Sequence, residues 1–148
     1  MAWQYKREEI PQIPEGRYRI RIRQADKAVS KNGNDMLVLQ FDVSGMSQVL
    51  YHYIVFLDDR PEITNRMLTQ FFDSFKGIED GNFDMRTWIG KVGACRIKHD
   101  DDGRAKLHYF IKADKQGDLP NWREANGAEV DEDGFMKVSE KELELLDI

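Results

Sequence analysis

The chain has 148 residues, 41% hydrophobic and 33% charged, which suits one domain with a real core. No run of about 18 apolar residues occurs, so no transmembrane helix is expected. The opening from Met1 to Glu9 is polar, with no apolar signal core, and predicts a cytoplasmic protein.

The net charge of −5 is unevenly spread. Residues 118–148 carry ten acids and three bases, while residues 17–31 carry six bases and one acid. A basic patch on a mildly basic body with a strongly acidic end is a meaningful arrangement for choosing partners, the plain alternative being an acidic tail that aids solubility. Cys95 is the single cysteine; it forms no internal disulfide and is expected to be a small buried hydrophobe.

Residues 1–13 form an N-terminal arm, with Trp3 and Tyr5 to dock it. Pro11, Pro14 and Gly16 turn the chain into Arg17-Tyr18-Arg19-Ile20-Arg21-Ile22-Arg23, which alternates without a fault. Period-two alternation means a strand, with Tyr18, Ile20 and Ile22 on one face and four arginines on the other. Ser30-Lys31-Asn32-Gly33-Asn34 is a hairpin turn. A second strand, Met36 to Val43, sets Leu37, Leu39, Phe41 and Val43 on one face. A third runs from about Gln48 to Phe56; both its faces are largely apolar, so one is expected to be a contact surface.

Asp58-Asp59-Arg60-Pro61-Glu62 reads as a helix start capped by the aspartates. Ile63, Met67, Leu68, Phe71, Phe72 and Phe75 follow on one helical stripe. Trp88 anchors a short helical turn. A fourth strand, Lys91 to His99, and a fifth, Arg104 to Lys112, flank a hairpin loop at Asp100-Asp101-Asp102-Gly103. Three strands, a helix and two strands give a mainly β fold with one helix. That is the order of the five-stranded Greek-key OB barrel, whose helix sits between strands three and four. A meander sheet with a helix on one face shares the order. The domain is expected over residues 14–117. An acidic tail follows over residues 118–148, ending in a short helix that starts near Ser139.

No phosphate-cradling glycine loop or nucleophile elbow is present. His52, His99 and His108 lack metal-ligand spacing. His99 with Asp100 to Asp102 has ligands for a hard cation, but an Asp-Gly hairpin tip is the simpler reading. No enzyme, metal or cofactor is expected.

Binding is better supported. Single-stranded nucleic acid is held by cations on its phosphates and aromatic rings on its bases. Arg17, Arg19, Arg21 and Arg23 recur at about 6.8 Å, twice the strand rise. Lys27, Lys31, Lys91, Arg96, Lys98 and Lys112 extend the basic surface. Tyr51, Tyr53, Tyr109 and Phe110 are strand aromatics, which either stack on bases or fill the core. The arginines likewise either meet phosphates or pair with Asp42, Glu79 or the tail.

Pro14-Glu15-Gly16 with Tyr18, Ser30-Lys31-Asn32-Gly33-Asn34 with Met36-Leu37, and Ile89-Gly90-Lys91-Val92-Gly93 with Ile97-Lys98 resemble the phage family known as domain of unknown function 669. The resemblance covers about residues 14–112. It implies an OB-like protein encoded among replication and recombination genes, with a single-stranded DNA-binding or annealing accessory role. The expected partners are single-stranded DNA and, through the acidic tail, phage replication or recombination proteins. A non-catalytic protein-interaction module that never touches DNA is the alternative.

Overall fold

The computed structural model describes residues 12–125, 129–130 and 136–137. The arm with Trp3 and Tyr5, the acidic run 131–133 and the helix expected after Ser139 lie outside the described residues.

Five antiparallel strands carry the fold: β1 Gly16–Val29, β2 Asp35–Val43, β3 Val49–Val55, β4 Val92–His99 and β5 Ala105–Phe110. Their order in the sheet is β3-β2-β1-β4-β5. The arginine-bearing strand is thus central and pairs with β2 along one edge and β4 along the other. Its alternation is read out as foreseen: Ile20 and Ile22 are buried, and the arginines face outward. A further pair, β6 Glu129–Val130 with β7 Met136–Lys137, forms a separate two-stranded ladder.

The sheet curls into a half-barrel. Its end strands approach each other, so that the His52 ring of β3 meets the Phe110 ring of β5 edge-on at 5.4 Å. One helix, α1 Pro61–Ser74, lies between β3 and β4 in the chain and fills the barrel's open side. Its apolar stripe brings Phe71 onto Trp88 at 4.9 Å and onto Phe110 at 5.7 Å. Phe75, just past the helix, stacks on Phe41 at 5.8 Å. Trp88 is fully buried and donates its indole N–H to the Asn82 carbonyl at 2.9 Å. The architecture is mainly β and OB-like.

Two local expectations are corrected. Neither Asp58 nor Asp59 caps α1: the N-cap is Arg60, with no side-chain cap bond. Thr64, inside the helix, instead ties α1 to the end of β3, accepting from Leu57 N at 2.9 Å and donating to the Val55 carbonyl at 3.1 Å. The second correction concerns β1, whose register shifts between Ile22 and Gln24. A bulge adds one residue and inverts the alternation beyond it. Lys27, which by simple parity belongs with the arginines, therefore pairs opposite core residue Leu37.

Gly93 faces the core opposite Ile20. A Cβ there would lie 2.9 Å from the Phe75 ring. Gly93→Ala is expected to cost about 1–3 kcal/mol, as overpacking does, read as a lower urea midpoint with an unchanged slope; an unchanged midpoint would refute this packing. Burial pushes the His52 pKa down to about 4 from 6.5. The folded imidazole is then neutral where the unfolded one takes a proton. Stability is full above pH 6.5 and falls as pH drops towards 4, by at most roughly 3 kcal/mol. Between pH 6.5 and 5, where carboxylates scarcely titrate, His52→Phe should flatten that slope; equal slopes would show that His52 is not desolvated.

Candidate nucleic-acid interface

The outer face of β1 is covered. After β5 the chain makes a short turn at Ala113–Lys115, turns again where Leu119 N donates to the Gln116 carbonyl at 3.0 Å, and crosses the arginines to Glu124. Arg17 donates to the Asp118 carboxylate at 2.7 Å and to the Lys115 carbonyl at 3.0 Å. Arg19 donates to the carbonyls of Pro120 at 2.7 Å, Gln116 at 3.1 Å and Leu119 at 3.4 Å. Arg21 grips both oxygens of Glu124, at 2.6 and 3.1 Å, and reaches Asp42 at 3.2 Å. Its guanidinium also lies 4.6 Å from the centre of the Trp122 ring, a cation–π arrangement. Arg23, the bulge residue, is 55% exposed and 3.8 Å from Asp42.

The electrostatics follow this geometry. The Arg17 hydrogen bond holds the Asp118 carboxyl below its usual range. Arg21 does the same for Glu124, against the opposing effect of burial and with help from the Trp122 N–H. Burial pulls the Arg21 pKa down, yet its bonds to Glu124 and Asp42 outweigh that and leave it raised.

This strap is built into the fold at both ends. At its start, the buried Gln116 amide donates to the Ile111 carbonyl at 2.8 Å and to the Ser74 carbonyl and hydroxyl, each at 3.2 Å. The Ser74 hydroxyl in turn donates to the Ala94 carbonyl at 3.0 Å and accepts from Ala94 N at 3.1 Å. Helix, β4 and strap share one buried polar network. At the far end Arg123 N donates to the Ser44 hydroxyl and Gly45 N to the Arg123 carbonyl, at 2.9 and 2.8 Å. Ala94, opposite Arg19 on the outer face, is fully buried as a result. Residues 118–124, assigned by composition to the tail, thus pack on the body.

The remaining outer face is open. Tyr51 and Tyr53 project from β3 beside Gln40 and Val38 of β2, and are 49% and 47% exposed. Tyr109 projects from β5 and is 42% exposed. The core reading of these three rings does not hold; Phe110, their apolar neighbour, is in the core. Tyr109 lies opposite Arg96, which lies opposite Arg17 on its other side. Lys98 lies opposite Lys106. Like charges directly opposite in a sheet are destabilising. Among the described residues Arg96, Lys98 and Lys106 form no ion pair.

Lys31 sits in the β1–β2 hairpin turn. Lys91 precedes β4 and packs its side chain near Gly77, away from this face. Lys112 follows β5 and is exposed. Sequence reasoning overlooked Arg104 and Lys106, although the alternation Arg104-Ala105-Lys106-Leu107 sets both on one face. It also overlooked Gln116 and Trp122, which stand in a stretch with no periodicity to read.

Metal and thiol chemistry find no support in the geometry. His99 Nε2 is 2.7 Å from the Ile13 carbonyl oxygen. Asp100 spends one carboxylate oxygen on the backbone N–H groups of Asp102 and Arg104, which is turn chemistry. No cluster of three or more potential metal ligands occurs among the described residues. Cys95 is buried, and burial pushes its thiol up to about 12. No family model matches the chain, and no curated protein sequence is significantly similar to it.

Replacing Gln116 by Ala strands the Ile111 carbonyl and part of the Ser74 pair in a buried setting, at an expected cost of about 1–3 kcal/mol. Trypsin should then cut faster after Lys115 and Arg123. Unchanged stability together with unchanged cleavage would mean that the strap is not held by this network.

Proposed function

We propose that this protein binds single-stranded DNA without catalysing a reaction, using the outer face of β3, β4 and β5. The observation that carries this reading is the company the three exposed tyrosines keep. Tyr51, Tyr53 and Tyr109 stand clear of the core on a surface that also bears Arg96, Lys98 and Lys106, and those cations form no salt bridge among the described residues. Stacking rings beside available cations are the two ingredients that hold a single strand. A phosphate bridging Lys98 and Lys106 would relieve the like-charge pairing at that position.

The reading keeps the expected partner and shifts the grip. Arg17, Arg19 and Arg21 hold the strap, so the task of meeting phosphates passes to the β4–β5 cations, with Arg23 at the margin. The resemblance of residues 14–112 to a phage replication-region family agrees with a single-stranded DNA role. We propose on the same basis that the protein serves phage replication or recombination in a bacterial cytoplasm. No helix among the described residues is long and apolar enough to cross a membrane.

The test is a titration with fluorescent oligo-dT at two salt concentrations. Tyr51→Ala with Tyr53→Ala should cost about 1–3 kcal/mol of binding for each stacking ring removed, with little change in melting temperature. Lys98→Ala with Lys106→Ala should lower the salt slope by about 0.7 for each phosphate that is no longer neutralised. If the protein shifts no oligonucleotide yet is fully folded, the DNA reading fails and the interaction-module alternative takes its place.

A further inference from the structure

The half-barrel is not closed. β3 and β5 are the two ends of the sheet order and share no ladder, although His52 and Phe110 bring them together at one level. Towards the starts of both strands the seam widens into a cleft of about 390 Å³, bounded by residues 48–51 at the start of β3, residues 104–106 at the start of β5 and residues 12–13. That volume lies within the range of small-ligand pockets, about 300–1,000 Å³.

The lining has a definite chemistry. Val49, Leu50, Ile13 and Ala105 supply an apolar floor, and Tyr51 stands at one rim. Arg104 and Lys106 supply two cations on the other wall, and no acidic side chain among the described residues lines the cleft. Asp100, in the turn before Arg104, has its carboxyl held low first by its bond to Arg104 N and also by the charges of Lys106 and Arg104. Gln12 reaches into the seam, where its amide oxygen accepts from Ala105 N at 3.0 Å. That bond fixes the side chain and leaves its –NH2 as a donor at the mouth.

We propose that this cleft takes one nucleotide of a bound single strand. The base enters against Val49 and Tyr51, where the Gln12 amide can donate to a base carbonyl, and the phosphate remains outside between Arg104 and Lys106. The proposal rests on the single-stranded DNA reading of the adjoining face, since Tyr51 and Lys106 belong to both surfaces. An apolar slot with a ring at one rim and paired cations at the other suits a nucleobase joined to a phosphate. It does not suit a bare anion, which has no use for the floor, or an apolar peptide, which has none for the cations.

The experiment uses two probes on the full chain. Thymidine 5′-monophosphate is small enough to report on the cleft alone, and amide NMR shifts locate it; labelled oligo-dT reports on the whole surface. The monophosphate should shift the amides of residues 48–51 and 104–106. Arg104→Ala should abolish those shifts and weaken oligo-dT binding at least fivefold; its side chain is exposed, so the fold is spared. Val49→Trp, which fills the slot, should act in the same way, and Tyr109→Ala should weaken oligo-dT binding while leaving the monophosphate shifts intact. The cleft proposal is overturned if the monophosphate moves none of these amides, or if Arg104→Ala binds oligo-dT within twofold of the parent. In that event, loss of oligo-dT binding in Tyr109→Ala would leave the outer-face reading standing. Cleft shifts with the monophosphate but no oligo-dT binding by the parent would support the site and overturn the outer-face reading.

Discussion

Three guanidiniums on one side of the central strand must be neutralised, and the chain does it itself. Arg17, Arg19 and Arg21 project from the central strand of the five, so their face lies over the middle of the sheet. Glu124, Asp118 and Asp42 supply charge, and four backbone carbonyls and the Gln116 amide oxygen supply the remaining acceptors. Arginine suits this task because its planar fork satisfies several oxygens at fixed angles. Arg19 meets no carboxylate among the described residues and is held chiefly by carbonyls of the strap. The strap in turn covers Ala94 and brings Gln116 against the end of α1. The arginine row thus joins the two faces of the sheet: one side builds the barrel core, and the other fastens the chain that follows the barrel.

That constraint reorganises the functional surface. With the N-terminal half of β1 covered, the cations left open on the outer face are those of β4 and β5, and the rings left open are those of β3 and β5. The curl of the sheet sets β3 and β5 on either side of one seam, so residues far apart in the sheet order become neighbours on the barrel wall. Tyr51 and Lys106 meet at the cleft for this reason.

Much of the architecture was legible in the residues. Alternation at 17–23 and 36–43 marks strands because one face of each is buried, the aromatic and β-branched run at 49–55 marks a third, and Asn-Gly and Asp-Gly mark the hairpins. The apolar stripe ending at Phe75 marks the helix. What escaped reading has physical causes. The bulge at Arg23 has no signature, because the arginine that occupies it also continues the alternation; the side on which Lys27 falls is inverted as a consequence. The strap has no period, since it is held by guanidiniums and a buried amide rather than by an apolar face. Asp118 and Glu124 therefore read as tail acids. Composition did register that acids downstream answer the arginines upstream; it could not register that residues 118–124 belong to the folded body. The exposure of Tyr51, Tyr53 and Tyr109 was also ambiguous, because a strand with two apolar faces does not declare which of them is covered.

The central claim is that the strap stays on the arginines while the β3–β5 face takes the strand. Hydrogen exchange with and without oligo-dT tests it most directly, because it reads both surfaces in one experiment. Protection is expected to rise over residues 49–55 and 94–110 and to stay level over residues 115–124. Increased exchange in residues 115–124 on adding DNA, with new protection at residues 17–23, would mean that the strap lifts and the arginines are the grip, and would contradict the account.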